Sequence, residues 1–231
     1  MAAKKELLQS YSNEQIAKKV IDFCLGKYKF IFISGNGGSG KTTLGKQLAK
    51  EVSSRGIEAN YIDMDEFMID SKIRKNTQKE WIDSKNNKRV SYHTWAFKES
   101  YHMAHLETII RSLMQGKDSF YKPKKSNELV NIKGELPLTI IEGVGTAFLK
   151  KEEAIYGIFI MCDFKIEIDR RISRARDGEA NLSRKEVEEK ATERNEQFKV
   201  TILPEKNNFD LELWSLMDYS FRVDRDDFNI M

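Results

Sequence analysis

Short apolar runs alternate along the chain with longer segments in which hydrophobic residues recur every three or four positions. The runs are rich in β-branched and aromatic residues, and they predict five strands, at 28–34, 59–63, 138–141, 157–162 and 219–223. The segments between them have the spacing of amphipathic helices, and capping boxes at Ser12 and Ser183 predict two helix starts. Strands that alternate with helices indicate βαβ crossovers. We therefore expect an α/β fold with a mainly parallel five-stranded sheet and helices on both faces.

Composition and net charge argue against two classes of binding partner, nucleic acids and membranes. The 39 Lys and Arg residues against 36 Asp and Glu leave a formal net charge of +3, too small an excess for a surface that coats nucleic acid. No apolar run approaches the ~20 residues that span a bilayer, and the N-terminus has no run typical of a signal peptide. We expect a cytoplasmic protein with no nucleic-acid or membrane partner, and association into a homo-oligomer stays open.

The strongest motif lies directly after the first predicted strand. Residues 35–42 read G-N-G-G-S-G-K-T, a complete P-loop pattern, and an amphipathic helix follows. Its glycines allow consecutive main-chain N–H groups to face phosphate oxygens, and the helix N-terminus adds positive charge. We expect Lys41 to reach the β and γ phosphates and the Thr42 hydroxyl to bind Mg²⁺. The predicted cofactors are ATP, or another nucleoside triphosphate, and Mg²⁺. The residues expected to hold the nucleotide are Gly35, Gly37, Gly38, Ser39, Gly40, Lys41, Thr42 and Thr43.

Carboxylates cluster at the end of the second predicted strand, where open α/β sheets bind their ligands. They are Asp63, Asp65 and Glu66. A carboxylate beside the γ-phosphate can accept the proton of an attacking hydroxyl, and Asp65 is our candidate for this general base. Asp63 and Glu66 compete for the role, and each of the three could instead cap a helix or lie in a solvated turn.

A further acid, Glu142, follows the third predicted strand and precedes Gly143. It is a candidate to hold a magnesium-bound water or the acceptor hydroxyl. Alternatively, it could pair with Lys41 or with a helix N-terminus for structural reasons. Thr42, Asp65 and Glu142 form the candidate metal-binding set.

The order of these motifs resembles the uridine kinase/phosphoribulokinase family of P-loop kinases. The resemblance rests on G-G-S-G-K-T-T at 37–43, D-E-F at 65–67, I-E-G at 141–143 and an arginine-rich segment, R-R-I-S-R-A-R-D, at 170–177. It implies a P-loop NTPase fold and an arginine-bearing lid that closes on the triphosphate. It also implies that Asp65 is the catalytic base and that Glu142 lies beside the metal and the acceptor.

The arginine-rich segment also has a physical reason to be a lid, because arginine can stabilise the charge that spreads over the γ-phosphate oxygens during transfer. Arg170 and Arg174 share a helix face and are expected to contact the nucleotide. Arg176, in the Arg-Asp step that the family shows at its lid, is the expected catalytic arginine. A solvated basic helix face is the alternative for each of them.

The region expected to bind the phosphate acceptor departs from the family pattern. The segment S-Y-H-T-W-A-F at 91–97 lacks the proline and the aspartate of the nucleoside-binding stretch in uridine kinases. Tyr92, His93, Trp95 and Tyr121 could form an aromatic wall for a ring-shaped acceptor. The alternative is that these aromatic residues belong to the core.

These observations predict a single P-loop kinase domain over 1–231. It would comprise an N-terminal helix at 1–27, an acceptor-side excursion at 72–133, and a lid with its following helix at 164–200. The expected activity is that of a uridine kinase-like phosphotransferase that acts on an alcohol group of a small molecule, either a nucleoside or a related metabolite.

Two other functions remain open from the sequence. One is a zeta-toxin-like kinase of sugar nucleotides, because that group also combines a P-loop with a strand-end aspartate and an E-G step. The other is a regulatory P-loop ATPase that acts on a protein partner. The sequence has no N-K-x-D guanine motif, and the strand I-I-E does not end in the Asp of a Walker-B strand, so a nucleotide switch is disfavoured.

Overall fold

A seven-stranded mixed sheet forms the centre of the molecule. The computed structural model describes residues 9–124, 126–174 and 182–231. In chain order its strands and α-helices are β1 (Ser10–Tyr11), α1 (Asn13–Cys24), β2 (Phe30–Gly35), α2 (Lys41–Ser54), β3 (Asn60–Asp63), α3 (Ser71–Lys75), β4 (Gln78–Ile82), β5 (Lys88–Tyr92), α4 (Met103–Met114), β6 (Ser119–Tyr121), β7 (Val130–Ile132), β8 (Thr139–Glu142), β9 (Ile155–Cys162), α5 (Phe164–Arg174), α6 (Arg184–Thr201), β10 (Leu211–Ser215) and β11 (Phe221–Asp226). The central sheet has the order β1-β11-β10-β9-β2-β8-β3.

Alternate side chains of β2 enter two separate cores. Phe30 and Phe32 pack with α4 and α6 on one face of the sheet, whereas Ile31 and Ile33 pack with α1 and α2 on the other. A parallel strand that is buried on both faces reads as a continuous apolar run, which is why this segment is hydrophobic throughout. The predicted α/β fold with helices on both faces is confirmed.

Five neighbouring strands, from β10 to β3, are parallel, and β11 and β1 are antiparallel additions at one edge. The predicted strand at 219–223 is therefore not part of the parallel set, because it corresponds to β11. The fifth parallel strand is β10, which the sequence analysis missed. The main-chain N–H of Leu216 donates to the carbonyl of Ser220 (2.8 Å) in the turn between β10 and β11. A turn this short can join only antiparallel strands.

Both predicted capping boxes are present. The Ser12 and Gln15 side chains cap α1, and Ser183 and Glu186 cap α6 in the same reciprocal way. Each pair satisfies N–H groups that have no partner inside the helix. No helix in the described residues is long and apolar enough to cross a membrane.

The predicted acceptor-side excursion at 72–133 contains regular secondary structure. Two hairpins, β4–β5 and β6–β7, flank helix α4. Trp81 of the first hairpin contacts the ring of Phe97, with 6.4 Å between centroids. The opposite face of this hairpin is open to solvent and carries both polar side chains and the exposed Ile82, Val90 and Tyr92.

Gln197 connects α6 to the same excursion. Its side chain is fully buried, its Nε2 donates to Ser91 Oγ (2.9 Å), and its Oε1 accepts from Thr94 Oγ1 (2.6 Å). The next residue, Phe198, contacts the ring of Trp95, with 6.4 Å between centroids. The helix that follows the predicted lid is therefore bonded to the segment that leads to Trp95.

Candidate active site

The P-loop joins β2 to α2 at the carboxyl edge of the sheet. Gly35 has φ +138°, and a Cβ built there would lie 1.8 Å from the carbonyl oxygen of Ile160 on β9. Only glycine fits this close approach of two backbones. The loop therefore turns directly over the end of the neighbouring strand.

The main-chain N–H groups of this loop are available to a ligand. Within the described part of the chain, those of residues 37–43 donate to no protein acceptor. Ser39 Oγ is also buried without a hydrogen-bond partner. Buried polar groups are normally paired, so this row of unpaired donors fits an anion with several oxygen atoms. The loop has the donor set that a triphosphate needs.

Asn36, at a variable position of the motif, anchors the loop from below. It is buried, its Nδ2 donates to the Cys162 carbonyl (3.2 Å) and to Glu167 Oε2 (3.1 Å), and its Oδ1 accepts from the Cys162 N–H (3.0 Å). The loop is thereby fixed to the end of β9 and to α5. No sequence signal points to this role of Asn36, since the P-loop pattern places no demand on this position.

Lys41 lies at the floor of the loop. Its Nζ donates to the carbonyl oxygens of Gly35 (3.1 Å) and Asn36 (2.7 Å). Burial lowers the pKa of Lys41, and the charge of Glu142 is the largest effect that opposes this shift. A buried ammonium group held only by neutral carbonyls has unused capacity for a phosphate oxygen.

A cleft of about 500 Å³ runs from the P-loop to the acidic strand ends. The residues that line it include Lys41, Thr42 and Thr43 on the nucleotide side. Its other lining residues include Asp63, Asp65, Glu66, Met68, Trp95, Lys124, Glu142, Val144 and Arg171. The predicted nucleotide-binding and acidic residues therefore share one cavity.

The three candidate base residues have different environments. Asp63 Oδ1 accepts from the Asp65 N–H (2.8 Å) and caps the short 3₁₀ helix that follows. Glu66 Oε2 accepts from the Lys124 N–H (2.7 Å). The Asp65 side chain is exposed in the cleft and accepts no hydrogen bond from the described residues. Of the three carboxylates, only that of Asp65 has both its oxygens available to a substrate.

Glu142 is deeply buried beside Lys41 and Thr42. It is 2% exposed, and its Oε1 accepts from the Tyr61 hydroxyl (3.2 Å). Burial raises the pKa of Glu142, and the Lys41 charge opposes this shift. The nearby Thr42 hydroxyl also acts to lower the pKa of Glu142.

The chemistry of these groups is compatible with Mg²⁺. The described residues contain no cluster of three His, Cys, Asp or Glu side chains able to hold a metal. Magnesium typically takes one or two protein ligands and completes its shell with water and phosphate oxygens. Thr42, Asp65 and Glu142 supply hard oxygen atoms to the cleft that Lys41 also lines, so the predicted set fits such a partial shell.

Arg170 does not occupy the position expected for a nucleotide contact. It is 3% exposed, and its guanidinium donates to the Gly38 carbonyl (2.8 Å), Ser215 Oγ (3.0 Å) and the Leu216 carbonyl (2.5 Å). The tight packing of α5 behind the loop turns this side chain toward protein acceptors. Arg170 therefore braces the P-loop against the end of β10.

The adjacent arginine lies in the cleft instead. Arg171 lines the cavity, and its Nη2 pairs with Glu167 Oε1 at 2.7 Å. Arg171 belongs to the arginine-rich segment at 170–177, but it is not among the arginines predicted to contact the nucleotide. The side chain of Arg174 and the whole of Arg176 lie outside the described residues.

The four predicted aromatic residues do not form one wall. Trp95 lines the cleft, but Tyr92 is 56% exposed on the hairpin surface. His93 packs against Phe97, with 6.0 Å between ring centroids. Tyr121 is buried against Phe67, with 5.0 Å between centroids. The core alternative is correct for Tyr121, because its ring faces the interior of the excursion.

Lys124 is a cleft residue that the sequence analysis missed. Its Nζ donates to the Asp65 carbonyl (2.6 Å), while its main-chain N–H binds Glu66. It follows β6 in a polar stretch with several lysines, and no sequence signal separates it from the others. Only the path of the β6–β7 hairpin brings it beside Asp65.

Comparison with known proteins gives a family and a fold. The model of the Phosphoribulokinase / Uridine kinase family matches residues 30–220. No curated protein matches the sequence significantly. D-glycerate 3-kinase from Cryptococcus neoformans var. grubii has a TM-score of 0.57 and 11% identity, covering 90% of this chain and 97% of that chain. The YGR205w protein has a TM-score of 0.58 and 12% identity, and the match covers 92% of this chain and 97% of that chain. At these identities the structural likeness shows the fold alone.

The family match extends from β2 to the turn before β11, so it includes the P-loop, both acidic strand ends and α5. These are the segments on which the resemblance in the sequence rested. The chain belongs to the phosphoribulokinase/uridine kinase family of P-loop kinases.

Proposed function

We propose that this kinase transfers the γ-phosphate of ATP to a hydroxyl group of a small molecule. The observation that carries the proposal is the shared cleft of Lys41 and Asp65. One end has unpaired N–H donors for a triphosphate, and the other has an unengaged carboxylate for a hydroxyl group. A site with both parts can hold donor and acceptor in one cavity, which supplies much of the catalysis of phosphoryl transfer.

In the proposed reaction the acceptor hydroxyl attacks the γ-phosphorus while its proton passes to Asp65. The bond from the γ-phosphorus to the bridging oxygen breaks, and ADP leaves with that electron pair. Lys41 and the loop N–H groups stabilise the charge that develops on the phosphoryl oxygens. Thr42 and Glu142 would hold Mg²⁺, which would supply positive charge to neutralise part of the charge of the triphosphate.

Two positioning roles follow from the contacts around the site. Asp63 fixes the main chain of Asp65 through the 2.8 Å hydrogen bond to its N–H. Arg170 holds the P-loop through the Gly38 carbonyl. We assign the contact with the transferring phosphoryl group to Arg171, and to Arg176 when the lid closes. In the family that the sequence resembles, the arginine-rich segment closes on the triphosphate, and this assignment gives Arg171 and Arg176 the same role.

A screen with γ-labelled ATP tests the proposal. Nucleosides, sugars, pantothenate-like alcohols and sugar nucleotides should be offered to the wild type and to Asp65→Asn. Label should move from ATP to one class of acceptor with the wild type and not with the variant. ATP hydrolysis that ignores every small acceptor but rises with a protein partner would contradict the proposal and favour a regulatory ATPase.

A further inference from the structure

Two cations lie beside the acceptor end of the cleft without a carboxylate partner. Lys124 Nζ donates to the Asp65 carbonyl at 2.6 Å. The Arg74 guanidinium donates to the carbonyls of Ile69 (2.8 Å) and His93 (3.2 Å). All three acceptors are neutral, and within the described ranges neither cation takes part in a side-chain ion pair. Most cations elsewhere on a protein surface are free to move in solvent, whereas these two are each held in place by main-chain oxygens.

The position of Arg74 places its charge on the acceptor side. Its two carbonyl partners belong to the segments that lead to the cleft residues Met68 and Trp95, one residue and two residues away in sequence. The guanidinium therefore bridges the chain segments that carry the cleft wall.

The two charges also act on each other. Burial is the largest cause of the lowered pKa of Lys124, and Arg74 lowers it further, while Asp65 and Glu66 oppose these effects. Two cations close enough to interact cost free energy unless an anion lies near both of them. The charges of Asp65 and Glu66 act against this repulsion at Lys124, whereas Arg74 has no carboxylate partner among the described residues.

We infer that the acceptor carries an anionic group, a carboxylate or a phosphate, which Lys124 and Arg74 bind while its hydroxyl faces Asp65. This inference rests on the proposed function. Lysine supplies a mobile point charge and arginine a planar pair of donors, a combination that suits either anion. Because Lys124 lies against the main chain of Asp65, the anion and the reacting hydroxyl belong to one small molecule.

Matched pairs of ligands provide the test. Binding of glycerate against glycerol, of a pentose phosphate against the free pentose, and of pantothenate against its neutral alcohol should be measured by calorimetry. The protein should be saturated with Mg²⁺ and a non-hydrolysable ATP analogue. We expect an anionic member to bind about tenfold to a hundredfold more tightly than its neutral partner, because each charge-assisted hydrogen bond contributes roughly this much. The compound that binds separates a carboxylate from a phosphate.

Variants identify the residues responsible. Lys124→Met should reduce the binding of that anion about tenfold or more and leave nucleotide affinity unchanged, and Lys124→Arg should restore most of it. Lys122→Met is the matched control, because it removes the same charge two residues away on an exposed side chain. Arg74→Gln should act like Lys124→Met, with the exposed Lys75→Gln as its control. Thermal unfolding of each variant checks that the fold is retained.

The outcomes separate this inference from the proposed function. If neutral members bind as well as anionic ones, or if no anionic member is preferred, the inference is overturned even when a neutral acceptor is phosphorylated. Anion binding that depends on Lys124, without any phosphoryl transfer, would support the inference and count against the proposed kinase reaction. Equal losses in Lys122→Met and Lys124→Met would also overturn the inference, since they would indicate a general effect of charge.

Discussion

Asp63 and Glu142 occupy paired positions on the neighbouring parallel strands β3 and β8. Parallel pairing brings the ends of both strands to one edge of the sheet, so two carboxylates meet at the floor of the cleft. Burial raises the pKa of both, and for Asp63 the charges of Asp65 and Glu142 add to the shift. The resulting pKa of Asp63 is about 7.

The first prediction concerns the stability of Asp63→Asn as a function of pH. Between pH 3.8 and about 7 the folded protein retains a proton on Asp63 that the unfolded chain releases. The free energy of unfolding of the wild type therefore falls through this window, and the full cost is present above it. A pKa change of this size corresponds to a loss of at most ~4 kcal/mol in the free energy of unfolding. Solvent screening at a half-buried group reduces this loss to about 1–2 kcal/mol. Asp63→Asn should be more stable than the wild type by this amount at about pH 8, and equally stable at about pH 4.

Urea unfolding at several pH values measures this difference. Asp70→Asn is the control, because Asp70 makes the same type of turn and accepts from the Lys72 N–H at 2.7 Å, but lies on the exposed surface. Its effect should not change with pH in the same window. A stability difference in Asp63→Asn that is constant from acid to alkaline pH would contradict the proposed burial of charge.

The second prediction separates chemistry from binding at Asp65. Asp65→Asn keeps the size of the side chain but removes the proton acceptor, so kcat should fall by about 10²–10⁴-fold with nucleotide affinity unchanged. Single-turnover transfer and nucleotide binding, measured on the same variant, check this. Glu66→Gln is the control, since glutamine can still accept the Lys124 N–H. A loss below about tenfold in Asp65→Asn would move the role to another acid or show that no base is needed.

The sequence could identify the acidic cluster and favour Asp65 within it, but not the different environments of its three members. Strand-end position was enough to group Asp63, Asp65 and Glu66, because the carboxyl edge of a parallel sheet is fixed by the strand pattern. Their different environments depend on a turn hydrogen bond and on Lys124, which reaches the site from a distant hairpin. No local pattern encodes that contact.

The third prediction tests the charge at the base of the P-loop. Lys41→Ala should reduce phosphoryl transfer by about 10²-fold or more, because it removes a positive charge from the developing phosphoryl oxygens. The fold should persist, since the lost hydrogen bonds are two contacts with the carbonyls of Gly35 and Asn36. Lys46→Ala, on the exposed side of α2, should retain activity. Circular dichroism and a transfer assay on both variants provide the comparison, and a folded, fully active Lys41→Ala would refute the catalytic assignment.

The fourth prediction concerns Arg170 as a brace. Arg170→Ala would leave the Gly38 and Leu216 carbonyls without their donor in a buried site, and should lower the free energy of unfolding by about 2–4 kcal/mol. Arg184→Ala is the matched control, because this surface arginine pairs with Asp169 and Glu188 and its loss should cost less than about 1 kcal/mol. Equal stability changes in the two variants would show that the buried network contributes little.

The fold was predictable where burial alone determines the pattern. Strand β2 is apolar throughout because both its faces are covered. The start of α6 could be predicted from its capping box. Strand β10 was missed because Glu212 interrupts its apolar residues. The structure explains this acid: Glu212 is buried and pairs with Lys206 (2.9 Å) and Arg225 (3.2 Å). A buried charge that depends on distant partners cannot be distinguished in a sequence from a solvated one.

The buried side-chain amide of Gln197 couples the position of α6 to that of residues 91–95, which lead into the wall of the cleft. Any rotation of α6 must carry Thr94 with it, or break the 2.6 Å bond between them and leave a buried amide unpaired. Trp95 is the next residue along the chain and lines the cleft. A rotation of α6 on nucleotide binding would therefore change the shape of the cleft beside Trp95. By thermodynamic reciprocity, the acceptor that fits this reshaped space would in turn strengthen the hold on the nucleotide.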